Sequence, residues 1–131
     1  MLIVYDSRTG NVRRFVNGLG RRAVAAAETG ELQEPFVLVT YTTGFGQVPD
    51  STARFLQKNG HRLAGVASSG NRNWGDGFAK AADRIGAQYR VPVLARFELS
   101  GTAKEAAQFL QELDRLAVTA DVQRTVQTGR I

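Results

Sequence analysis

Short apolar runs alternate with amphipathic stretches along this chain, and that alternation narrows the fold more than any other feature. Leu2-Ile3-Val4-Tyr5, Phe36-Val37-Leu38-Val39, Leu63-Ala64-Gly65-Val66-Ala67 and Val93-Leu94-Ala95-Arg96-Phe97 are β-branched or apolar without clean alternation. Strands covered on both faces have that composition. Arg22 to Ala26 reads as a further, weak edge strand. Between these runs the period changes. Val12, Phe15, Val16 and Leu19 recur at i, i+3, i+4 and i+7, one face of a helix. Asp50 or Ser51 is expected to cap a second helix that buries Phe55 and Leu56. Phe78, Ala81, Ala82 and Ile85 keep helical spacing on a third. Thr102-Ala103-Lys104-Glu105 is a capping box opening a fourth, with Ala106, Phe109, Leu110, Leu113 and Leu116 as its core stripe. The order predicts an α/β fold: a doubly wound, parallel five-stranded sheet with helices on both faces and right-handed crossovers. At 131 residues one domain is expected. It is placed at residues 1–116, because the stretch from Ala117 lacks strong periodicity; residues 117–131 read as a peripheral C-terminal tail.

Composition removes several function classes. Apolar content of 43% and charged content of 22% are those of a globular chain. No apolar run approaches the roughly 20 residues of a membrane span. The chain enters a strand at once, leaving no room for a signal peptide. With no cysteine there is no disulfide framework, no thiol catalysis and no thiolate metal site. These absences favour the cytoplasm. His61 is the only histidine and Asp6 is isolated at a strand end, where it reads as a turn residue. A catalytic triad or a metal centre therefore has little material, and no catalytic or metal-ligating residue is assigned. The net charge of +5 would by itself suggest a nucleic-acid partner. The few aromatics sit mostly at core-like positions, however, and the basic residues line no one obvious face. A solvated basic surface, or docking to an acidic protein, is the better reading; neither nucleic acid nor membrane is expected as a partner.

The strand ends hold the chemistry. Ser7-Arg8-Thr9-Gly10-Asn11 lies between the first strand and the first helix. Hydroxyls, an amide and one Gly at that junction make a cradle for a phosphate monoester, built from backbone N–H groups and side-chain donors. The same residues also serve as ordinary caps and turn formers. No Gly-Lys-Ser/Thr follows and only one Gly is present, so neither a nucleotide-hydrolysing loop nor a dinucleotide fingerprint is supported. The next strand ends give Thr40-Tyr41-Thr42-Thr43-Gly44-Phe45-Gly46-Gln47-Val48-Pro49 and Ser68-Ser69-Gly70-Asn71-Arg72-Asn73-Trp74-Gly75. In a parallel sheet all three loops share one edge, the carboxyl ends of the strands, where ligands of such folds bind. Gly admits a flat ligand closely, and Phe45 and Trp74 can stack on one. A phosphate pocket beside a slot for a planar heterocycle follows.

The strings Tyr5-Asp6-Ser7-Arg8-Thr9-Gly10-Asn11, Thr40-Tyr41-Thr42-Thr43-Gly44-Phe45-Gly46, Ser69-Gly70-Asn71-Arg72-Asn73-Trp74-Gly75 and Phe97-Glu98-Leu99-Ser100-Gly101-Thr102 resemble, in order, those of the NrdI family. That family is the flavodoxin-like accessory protein of class Ib ribonucleotide reductase, and the resemblance spans Met1 to about Leu116. It implies FMN as cofactor, with its phosphate on Ser7, Arg8, Thr9, Gly10 and Asn11. The isoalloxazine would lie between Thr42, Thr43, Gly44, Phe45 and Gly46 on one side and Ser69, Gly70, Asn71, Asn73, Trp74 and Gly75 on the other. The Gly44 carbonyl would sit near flavin N5, and Trp74 is the residue to stack. The resemblance further implies that reduced flavin reacts with O₂ to supply the oxidant that assembles the dimanganese-tyrosyl radical cofactor of the reductase small subunit. Its partners would be that small subunit and a flavin-reducing donor protein; the chain itself would be no independent enzyme. Arg72, beside the flavin, is the candidate partner-docking charge. The alternatives are a general flavodoxin-type electron carrier, which the basic charge disfavours, or a small FMN-dependent quinone or nitro reductase, for which no nicotinamide motif is present. A receiver-type signalling domain would share the strand order, but neither of the next two strands ends in an Asp.

Overall fold

A computed structural model describes the backbone of residues 1–128, with side chains for all of these except Trp74 and those from 120 onward. The elements are β1 (Leu2–Tyr5), α1 (Asn11–Asn17), β2 (Ala23–Ala25), β3 (Phe36–Tyr41), α2 (Asp50–Asn59), β4 (Leu63–Gly70), α3 (Ala81–Tyr89), β5 (Val93–Glu98) and α4 (Ala103–Thr128). All five strands are parallel, in the order β2-β1-β3-β4-β5. The weak stretch near Arg22 is the edge strand β2, paired through Ile3 opposite Ala23.

Period-2 geometry explains why the strand runs are apolar throughout. Ile3, Val37, Val39, Ala67 and Phe97 face one layer, where α1 and α4 supply Val12, Phe15, Phe109 and Leu113. Leu2, Val4, Phe36, Leu38 and Val66 face the other, where α2 and α3 supply Phe55, Leu56, Ala82 and Ile85. Successive residues thus point into different cores, and neither can be polar. In the first layer Phe15 stacks on Phe97 at 3.9 Å between centroids and meets Phe109 edge-on at 5.7 Å.

The helix starts differ from expectation in instructive ways. The capping box of α4 forms: Thr102 N donates to Glu105 Oε1 at 2.9 Å and Glu105 N donates to Thr102 Oγ1 at 3.1 Å. Helix α2 is not capped by Asp50 or Ser51. Pro49 occupies its N-cap, and the hydroxyls of Ser51 and Thr52 donate instead to Asp6 Oδ2, each at 2.7 Å. Helix α3 begins at Ala81, so Phe78 precedes it. The backbone reverses at Ala79, buried with φ +49°, between the two. Helix α4 runs on to Thr128, through the stretch read as a tail. Among the described side chains past Leu116, Val118 is 62% exposed. A helix already nucleated propagates without a core stripe, which is why the periodicity faded while the helix did not. Among the described residues no helix is long and apolar enough to cross a membrane.

Candidate functional site

Lateral register brings the loops together. Tyr41 pairs with Ser69 and Ser69 with Phe97, so β3, β4 and β5 end side by side at one edge. There a cleft of about 420 Å³ is lined by Arg8, Thr9, Asn11, Tyr41, Thr42, Thr43, Gly44, Ser69, Gly70, Asn71 and Leu99.

The loop after β1 makes one end. Gly10 sits at φ +93°, a left-handed conformation that a side chain resists, and a Cβ there would lie 3.2 Å from Arg14 Nη1. The reversal leaves Arg8, Thr9 and Asn11 lining the cleft. Ser7 is turned to its own loop, its Oγ accepting from Arg13 N at 3.3 Å. Arg14 Nη2 donates to Asn11 Oδ1 at 2.7 Å, which leaves the Asn11 amide nitrogen as the group free to donate.

The loop after β3 is a tight hairpin. Thr43 N donates to Gln47 O at 2.9 Å and Gln47 N to Thr43 O at 2.8 Å. Arg84 Nε donates to Gly46 O at 2.6 Å and ties the hairpin to α3. Phe45 stands at the hairpin tip, 84% exposed, and neither it nor Gly46 lines the cleft. Thr42 reaches the lining but is buried, and its Oγ1 accepts from Ala81 N at 3.3 Å. Its hydroxyl is thereby engaged in starting α3.

The loop after β4 makes the opposite wall. Gly70 is required by close approach: a Cβ on it would collide with the backbone of Ala79. Asn71 Oδ1 accepts from Asn73 N at 2.9 Å and shapes the turn. Asn73 and Gly75 lie in that turn, away from the lining, and the side chain of Trp74 lies outside the described residues. Arg72 is engaged with its own chain. Its Nε lies 3.6 Å from Glu98 Oε1, its Nη2 3.8 Å from Glu105 Oε2, and its guanidinium lies 4.4 Å from the Phe78 ring centroid.

Tyr41 and Leu99 line the cleft without having been singled out as site residues. Tyr41 is the last residue of β3, flanking the hydroxyl run. Leu99 is an apolar residue between a strand and a helix cap, half-exposed at 50%, with φ +55°. A leucine held in that conformation stores strain, and such positions concentrate where ligands bind.

An open parallel sheet whose strand-end loops enclose one cleft defines a flavodoxin-like α/β protein. Two solved structures share the fold. One is a short-chain flavodoxin associated with a non-canonical PDU bacterial microcompartment, with TM-score 0.70 and 18% identity over 91% of this chain and 97% of that one. The other is the Streptococcus pneumonia TIGR4 flavodoxin, with TM-score 0.63 and 24% identity over 90% and 97%. Within that class the chain belongs to the NrdI flavodoxin-like family, whose pattern matches residues 3–111. Protein NrdI of Bacillus licheniformis is 59% identical over 115 residues, 87% of this chain and 88% of that protein. The SPbeta prophage-derived protein NrdI of Bacillus subtilis is 40% identical over 115 residues, 85% and 89% of the two chains.

Proposed function

We propose that the cleft holds one FMN and that the chain is the redox accessory protein of a class Ib ribonucleotide reductase, acting in the cytoplasm. The observation that carries the cofactor reading is the division of the cleft. Its two ends have different chemistry within about 420 Å³, a volume suited to a single mononucleotide rather than a dinucleotide. Arg8, Thr9 and Asn11 present one cation and two uncharged donors, a set that fits a phosphate monoester. The rest of the lining includes two glycines, Gly44 and Gly70, with Tyr41 and Leu99, which suits a thin heterocycle. The residues that line this site all fall between Arg8 and Leu99.

Bound FMN, once reduced by a flavin-reducing donor protein, would supply from O₂ the oxidant that assembles the dimanganese-tyrosyl radical cofactor of the small subunit. The chain's own residues hold, orient and expose that cofactor. The loop after β1 anchors the phosphate, the hairpin tied by Arg84 fixes Gly44, and Leu99 closes one side. The reductase role follows from membership of the family, and the exposed hairpin beside the cleft suits delivery within a docked complex. The protein is then an aid to another enzyme's assembly and not an independent catalyst.

Two measurements test this. Mass analysis of the ligand released from purified or FMN-reconstituted protein should return FMN; FAD, or no flavin after excess FMN, overturns the cofactor reading. Reduced holoprotein plus O₂ should generate a tyrosyl radical, seen by EPR, in a manganese-loaded class Ib small subunit. A yield no higher than that of the flavin-free control overturns the accessory role.

A further inference from the structure

We propose that Glu98 is a positioning residue that sets the Asn71 wall of the cleft: its carboxylate holds the backbone at Arg72 while the Leu99 amide holds it at Gly70. The inference rests on the FMN reading above and deepens it.

The end of β5 grips the loop after β4 at two points. Leu99 N donates to Gly70 O at 3.0 Å, and Glu98 Oε2 accepts from Arg72 N at 3.0 Å. Asn71 lies between those two points and lines the cleft. The last residue of β5 and the one after it thus bracket a single residue of the neighbouring loop, and the Asn71 backbone cannot shift without lengthening one of the two bonds. The first bond continues the pairing of Gly70 with Glu98 in the sheet. The second does not. Beyond Gly70 the chain leaves the sheet, and a carboxylate substitutes for the missing strand as acceptor.

The contacts around Glu98 differ in strength. Its bond to the Arg72 amide is charge-assisted and well inside hydrogen-bond distance. The guanidinium contacts, at 3.6 Å to Glu98 and 3.8 Å to Glu105, are long and involve an arginine that is 60% exposed, and such pairs contribute little on their own. Their role is to keep the Glu98 carboxylate facing the loop. Glu105 serves the capping box with Oε1 and faces Arg72 with Oε2. The start of α4 is thereby linked to the same wall. The amide bond therefore dominates, so the backbone at Arg72 matters more than its charge.

This ranking separates the variants. Glu98→Ala removes the acceptor, and should weaken FMN binding roughly tenfold and shift the flavin reduction potential. Glu98→Gln keeps an acceptor oxygen without its charge and should recover both part of the way to the wild-type values. Arg72→Ala keeps the backbone amide and should fall between. A residue that only stabilised the fold would lower the melting temperature of Glu98→Ala without moving the potential of the flavin that still binds. Unchanged affinity and potential in Glu98→Ala, or a Glu98→Gln as impaired as Glu98→Ala, overturns the proposal. A wild-type arm needs no variant and no flavin. The Arg72 amide should exchange with deuterium at least about tenfold more slowly than its intrinsic rate, and free exchange there overturns the positioning role even if Glu98→Ala does not fold. If the wild-type protein takes up no FMN while that amide is protected, it is the FMN reading that fails.

Discussion

At Thr9 one hydroxyl lines the end of the cleft that Arg8 and Asn11 share. A hydrogen bond from it to a phosphate dianion is worth about 1.5–3 kcal/mol, so Thr9→Ala should weaken FMN binding roughly ten- to a hundredfold with the fold intact. Titration of the FMN-free protein reads this directly, and an unchanged affinity removes Thr9 from the phosphate site. Gly70 makes the opposite kind of demand, since its constraint is steric and needs no ligand. Gly70→Ala forces a Cβ against the Ala79 backbone and should cost about 1–3 kcal/mol of stability, measurable by denaturant unfolding. That Thr9 and Gly70 share a cleft was legible in the sequence, because the loops after the strands of a parallel sheet meet at one edge. Tyr41 and Leu99 were not. An apolar residue reads as core unless its backbone conformation is known, and the positive φ of Leu99 leaves no mark in composition. Phe45 shows the converse: an aromatic between two glycines suggested a wall, but the hairpin bonds turn it outward.

Among the elements, strands and helices were legible wherever burial imposed a period, including the weak edge strand β2. Their ends were legible only where the terminating chemistry is local. The box of Thr102 and Glu105 spans three residues and could be read. The start of α2 depends on Asp6, which lies far away in sequence, and could not. That long-range bond is the element's main constraint. Thr52 is fully buried, and its Oγ1 lies 2.7 Å from both Asp6 Oδ2 and Thr40 Oγ1. Asp6→Ala leaves Thr52 with one partner and Ser51 without this one, at a cost of about 1–3 kcal/mol. Loss of that stability should accompany faster amide exchange in the first turn of α2. Unchanged exchange there would show that Pro49 alone holds the start of the helix.

On the scale of the whole molecule, arginine–carboxylate pairs join segments that the sheet leaves apart. Arg21 Nη1 meets Asp114 Oδ1 of α4 at 2.9 Å, and Arg22 Nη2 meets Glu34 Oε1 at 2.6 Å. Hydrogen bonds from the arginines, aided by their charge, hold both carboxyl groups below the usual carboxylate range. A carboxyl whose folded value is depressed adds stability above its unfolded value and loses it as pH falls through the folded one. The melting temperature should therefore drop on acidification through and below the carboxylate range. Both pairs are exposed, so salt should flatten the drop. A melting temperature equally steep in high salt, or unaffected by Asp114→Asn, would remove these pairs from the balance. Helix α4 also settles a question of attachment. It leaves the cleft edge at Ala103 and packs back along the sheet through Phe109, Leu113 and Leu116, a length of about 20 Å. A fluorophore or electrode tether joined at the exposed Val118 is thus held about 22 Å along the helix from the cleft edge, and molecules fixed to a surface that way would keep the cleft's mouth open to the solution.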